Sequence, residues 1–169
     1  MAFIESTGVP MPIPSPDDLS DPDFQLPRWV NVSNKVGENV RGVKSVDTLW
    51  VQFVIKNIFD GPGMSKLTIP LKVDGIYGDK TQKWIQHFQR DQKAQGLAQG
   101  DTVFLPVHPD GAVSRVPAGD FFEQRKFTAY RLNKVLAIIN PLLAVMLTNA
   151  ARSNATLEVF IRVAMQQAA

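Results

Sequence analysis

Apolar side chains return at intervals of three and four residues in four stretches of the chain, and each stretch predicts a helix with one buried face. Val46, Leu49, Trp50, Phe53 and Val54 mark the first. Thr81, Trp84, Ile85 and Phe88 mark the second, with Lys80, Lys83, Gln86, His87 and Arg90 on its polar side. Leu132, Val135, Leu136 and Ile139 mark the third. Leu157, Phe160, Ile161, Ala164 and Met165 mark the fourth, where Glu158 and Arg162 are spaced to pair on the opposite face. Ser45 is the expected cap of the first helix, which runs from about Val46 to Phe59 with Asp47 in its first turn, and Asp60-Gly-Pro-Gly63 ends it. Asp79 is placed to cap the second, with Gln82 at the reciprocal position of a capping box. Asn140-Pro141 interrupts the third pattern, so Pro141 either kinks that helix or opens a new segment over Leu142 to Thr148. The fold class read from this patterning is mainly α.

Between the helices the chain is punctuated by prolines and glycines. Residues 1–28 hold Pro10, Pro12, Pro14, Pro16, Pro22 and Pro27, each of which fixes φ and removes a donor, so an extended arm is expected there. Such an arm is either a tail or a strap laid along a partner or its own domain. Leu67-Thr-Ile69 leans toward strand, but Pro70 limits any strand to a short or edge one, and a long connection fits better. Asp74-Gly75 supplies turn chemistry, because glycine takes positive φ at little cost and the carboxylate can bond nearby N–H groups. Residues 95–120 are turn-rich, and Asp110-Gly111 repeats the first turn.

Val73-Asp-Gly-Ile-Tyr-Gly-Asp-Lys-Thr81 followed by Phe88-Gln89 resembles the peptidoglycan-binding-like repeat that accompanies many bacterial cell-wall hydrolases. The family pattern is Asp-Gly-x-x-Gly-x-x-Thr, then Phe-Gln, matched at Asp74, Gly75, Gly78, Thr81, Phe88 and Gln89. Asp110-Gly111-x-Val113, with Thr128 and Leu132, resembles the closing element of that family, with Ser114 where glycine is usual. Trp84 stands where the family commonly carries alanine, and Gly61 to Pro70 looks like an insertion whose tip lines a binding surface. The resemblance implies a small helical bundle of the peptidoglycan-binding type over residues 29–139, in which the first helix packs on the second. Residues 1–28 form its extended arm and 140–169 add C-terminal helices. It also implies non-catalytic binding of peptidoglycan in a shallow groove near Asp74 to Thr81. Three residues are the expected ligand contacts: Tyr77, whose ring can stay accessible in the turn, and Lys80 and Lys83, placed to meet carboxylates of a peptide stem. The bland alternative for the lysines is an ordinary charged helix face.

Composition narrows the remaining classes. With 169 residues and 44% hydrophobic content the chain suits one globular domain with appendages. A net charge of +2 without a dense basic block does not imply a nucleic-acid partner. The absence of cysteine excludes disulfides, thiolate catalysis and thiolate metal ligation. There is no Gly-x-Ser-x-Gly elbow, phosphate loop or His-Glu-x-x-His, and His87 and His108 are isolated, His87 being expected in solvent. No catalytic residue, metal or cofactor is therefore expected, and the chain reads as a binder rather than an enzyme. The run from Val135 to Leu147 is broken and shorter than the ~20 residues that span a bilayer. The N-terminus lacks a signal-peptide pattern, so synthesis in the cytoplasm and delivery to the wall by a particle or a non-classical route are expected. The alternative function is a structural or assembly protein of a phage tail or contractile injection particle, which docks a protein partner through the arm or the C-terminal helices.

Overall fold

A 15-residue helix, Val46–Asp60, has almost all of its flanks covered. The computed structural model describes residues 3–6, 13–20, 26, 28–98, 109–116, 127–151 and 153–168. In chain order the elements are β1 (Phe3–Ser6), α1 (Pro16–Ser20), β2 (Arg28–Asn31), a single 3-10 turn (Glu38–Val40), α2 (Val46–Asp60), α3 (Asp79–Ala98), α4 (Thr128–Ile139), α5 (Pro141–Ala150) and α6 (Asn154–Gln167). The protein is mainly helical, as its patterning predicts. Ser45 caps α2 by accepting from the Thr48 N–H at 3.0 Å. Trp50, Val51, Val54, Ile55 and Ile58 are then sealed from solvent as α3, α4 and α6 pack around this helix. Phe88 and Ile85 of α3 enter the same core.

The C-terminal helices form where the punctuation places them. Asn140 accepts from the Leu143 N–H at 3.1 Å, so Pro141 opens α5 rather than kinking α4. Ser153 caps α6 through the Thr156 N–H at 3.2 Å, and Arg162 pairs with Glu158 at 2.7 Å. Leu147, Leu157 and Ile161 are fully buried and belong to the core that includes α2, so α5 and α6 share the hydrophobic centre of α2, α3 and α4. Phe160, Ala164 and Met165 pack at its edge. No helix among the described residues is long and apolar enough to cross a membrane.

The arm is extended at β1 and departs from that expectation at α1. β1 precedes the first proline and pairs antiparallel with β2, with Phe3 opposite Asn31 and Ser6 opposite Arg28. Pro16 sits in the first turn of α1, where a missing N–H is no loss, and Ser15 and Asp18 close a reciprocal cap at 3.1 and 3.0 Å. On β2, Val30 exchanges two hydrogen bonds with the buried amide of Asn133 on α4, at 2.9 and 2.8 Å. Asn31 does the same for the backbone of Val116, at 2.9 and 3.0 Å. Side-chain amides thus complete a sheet too small to satisfy its own backbone.

Both Asp-Gly turns take the left-handed conformation that favours glycine, with φ of 81° at Gly75 and 74° at Gly111. A Cβ at Gly75 would also lie 3.0 Å from the Ser45 carbonyl oxygen. Gly75→Val is therefore expected to cost roughly 1–3 kcal/mol in urea unfolding. Wild-type stability in that variant would show that the turn relaxes without cost.

Candidate functional site

The residues that carry the sequence motif are drawn together by two buried glutamines. Gln52 of α2 faces the first turn: its Oε1 accepts from the N–H groups of Asp74 at 3.0 Å and Gly75 at 2.8 Å. Its Nε2 donates to the Ile76 carbonyl at 3.0 Å, the Thr81 hydroxyl at 2.9 Å and Asp74 Oδ1 at 3.2 Å. Gln89 of α3 treats the second turn in the same way. It accepts from the Gly111 N–H at 3.0 Å and donates to the Ala112 carbonyl at 3.0 Å, the Thr128 hydroxyl at 3.2 Å and Asp110 Oδ1 at 3.0 Å. In each turn the Asp Oδ1 also accepts from the N–H two residues on, at 2.9 Å. Each unit thus runs from a helix glutamine to an Asp-Gly turn to a threonine at the start of the next helix, and α3 belongs to both. Burial works against the charge on Asp74, but bonds from Ile76, Gln52 and Lys72 outweigh it and hold the carboxyl below its usual range.

The three expected ligand residues do not converge. Tyr77 is only 1% exposed, and its hydroxyl donates to the Gly111 carbonyl at 2.8 Å, tying the first turn to the second. Burial, foremost, pushes its pKa up to about 12. The expectation of an accessible ring is overturned because the backbone at Ile76 and Tyr77 pairs with Lys44 and Arg41, which turns the ring inward. Lys80 and Lys83 are exposed on α3, whereas that ring is buried. Asp79 does not act as the cap either. It is the first residue of α3, Gly78 supplies the carbonyl for the Gln82 N–H at 2.9 Å, and the Asp79 carboxylate accepts from Arg41 at 2.7 Å. Arg41 also binds Glu38 at 2.7 Å, and its guanidinium holds both carboxyls below their ordinary range.

Two clefts lie along α2. Trp84 packs against Phe59 with ring centroids 5.2 Å apart, and its indole N–H donates to the Ile69 carbonyl at 2.9 Å. His87, expected in solvent, is half-buried: its ring lies 4.9 Å from Phe59 and its Nε2 donates to the Ser65 carbonyl at 2.6 Å. The connection between α2 and α3 is thus fastened to α3 by two side chains, and it contains no strand. Beneath it lies a cleft of about 230 Å³, floored by Phe59 and Trp84 and walled by Leu67, Pro70 and Leu71. A second cleft of about 370 Å³ lies between α2 and α6, bordered by Phe53, Asn57, Ala164 and Met165. Lys56 and Asp60 line both.

Gln89 belongs to the sequence motif, but neither Gln52 nor this pair of clefts is singled out by the sequence patterning. The available signal for Gln52 is a lone amide inside the apolar run Leu49 to Ile55. Among the described residues no group of three or more His, Asp or Glu side chains is placed to hold a metal ion. Compared with known proteins, the chain matches no family model, no curated protein and no solved structure.

Proposed function

We propose that this chain is a non-catalytic module that binds bacterial cell-wall peptidoglycan. The observation that carries the reading is the doubled clamp. The residues on which the family resemblance rests, Asp74, Gly75, Thr81 and Gln89, serve as joints of two equivalent units that fix consecutive helices, and the weaker second turn at Asp110-Gly111 is built like the first. This leaves Lys80, Lys83 and the open side of α2 and α3 to meet a ligand, with Tyr77 holding the scaffold. A shallow site of ~mM to μM affinity, about −4 to −8 kcal/mol, suffices when a repeating polymer offers many copies. Purified protein is expected to sediment with isolated sacculi and to release no soluble fragments.

A second reading, an assembly protein docked to a particle, is favoured by one observation. Leu142 and Met146, one turn apart on α5, and Ile138 near the end of α4 are 55%, 44% and 52% exposed. Exposed apolar side chains of this size suit contact with another protein. Failure to sediment with sacculi of several chemical types, together with stable capture of a protein partner, decides for this second reading.

A further inference from the structure

We propose that the two clefts on either side of Lys56 and Asp60 form one groove for the peptide stem of the wall polymer, a short extended peptide whose free carboxylate seats between Lys56 and Lys66. This inference rests on the wall-binding reading. Three observations lead to it. The clefts share Lys56 and Asp60, so they meet at that charged pair on α2, with apolar walls on either side of it. That order suits an extended chain that places a polar group between small aliphatic side chains. At about 230 and 370 Å³ the clefts sit at or below the ~300–1,000 Å³ usual for small-molecule sites, so each accepts a short segment rather than a bulky ring system.

The charge at the centre selects an anion. Lys56 and Lys66 each donate to a different oxygen of Asp60, at 2.7 and 3.2 Å, so two ammonium groups face one carboxylate. Burial tends to raise the Asp60 pKa, but the two lysine bonds outweigh it and keep the carboxyl ionised below its usual range. Each ammonium carries three donors and spends one on Asp60, leaving donors for an incoming carboxylate without breaking the resident pair. Both lysine side chains remain reachable, at 34% and 55% exposed.

The glycan strand fits this groove less well than the peptide. A sugar ring stacks on an open aromatic face, whereas Trp84 is 6% exposed, covered by Phe59 and His87 and fixed by its bond to Ile69. The groove therefore offers ammonium groups and aliphatic walls.

The test titrates the full chain with a synthetic wall stem peptide, the same peptide with its carboxylates amidated, and an all-L acidic peptide of matched composition, alongside sacculus sedimentation. The stem peptide is expected to bind, amidation and Lys66→Glu each to weaken binding by about tenfold, and the melting temperature to hold, since Lys66 is a surface residue. Ala164→Phe, which fills the second cleft without altering charge, is expected to weaken it as well. Stem binding indifferent to amidation and to Lys66→Glu overturns the inference. So does binding confined to the all-L peptide, which assigns the groove to a protein segment. Wild-type retention on sacculi that Lys56→Gln and Lys66→Glu leave undiminished overturns the groove and spares the wall-binding reading. Absence of wild-type retention overturns both.

Discussion

Gln52→Leu is expected to destabilise the fold by about 3–5 kcal/mol, read as a lowered urea midpoint with an unchanged slope. Leucine nearly matches the lost volume, so the loss comes from stranded polar groups rather than from a cavity. The buried Gly75 N–H loses its 2.8 Å acceptor and the Thr81 hydroxyl its 2.9 Å donor. The Asp74 N–H and Ile76 carbonyl lose partners at 3.0 Å. Each buried group left unpaired costs about 1–3 kcal/mol, and the more exposed ones recover part of that from water. Gln89→Leu strands the Gly111 N–H, the Ala112 carbonyl and the Thr128 hydroxyl in the same manner and is expected to cost a similar amount. Glutamate at position 52 is an informative companion: it keeps the acceptor but turns the donor into a second acceptor facing Asp74 and Ile76. It should be no better tolerated than leucine. A midpoint within about 0.5 kcal/mol of wild type for both Gln52 variants would show that the turns hold themselves.

The helices were legible because their evidence is local. Ser45 announces its cap within three residues, and the apolar faces repeat within two turns. The Asp-Gly turns were legible for the same reason, since glycine at positive φ is a property of one residue. What failed depended on partners distant in sequence. Tyr77 looked exposed because nothing near it in the chain covers it; Gly111 and the strip around Arg41 do. His87 occupies the polar side of its helix by spacing, yet the inserted connection folds back over that side and brings the Ser65 carbonyl to it. Lys56 and Asp60 read as an ordinary i,i+4 helix pair, and become the centre of a groove only when Lys66 and α6 arrive from elsewhere. Asp79 has the residue type and spacing of a cap, but the sequence does not reveal that Arg41 takes its carboxylate.

Trp84→Ala is expected to cost about 3–5 kcal/mol and to remove groove binding at the same time. Alanine is what the resembled family commonly carries at this position, so the substitution asks whether the indole is an ornament or a structural part of this chain. Its ring lines the cleft that residues 66–71 wall, and its N–H is the donor for the Ile69 carbonyl. Without it Phe59 and His87 lose a neighbouring ring, and the connection keeps the Ser65 bond to His87 as a tether to α3. The loss should therefore be concentrated locally, with faster hydrogen exchange at residues 64–71 than the drop in global stability explains, while amides at Gly75 and Gly111 stay protected by their glutamines. Phe88→Ala provides the contrast. That side chain is 1% exposed in the common core, so a comparable cost of about 3–5 kcal/mol should spread over the whole domain and leave the ordering of exchange rates unchanged. Trp84→Ala with wild-type exchange at residues 64–71 and wild-type stem-peptide affinity would show that the connection is held by its own backbone, and that the walls of the first cleft persist without their aromatic floor.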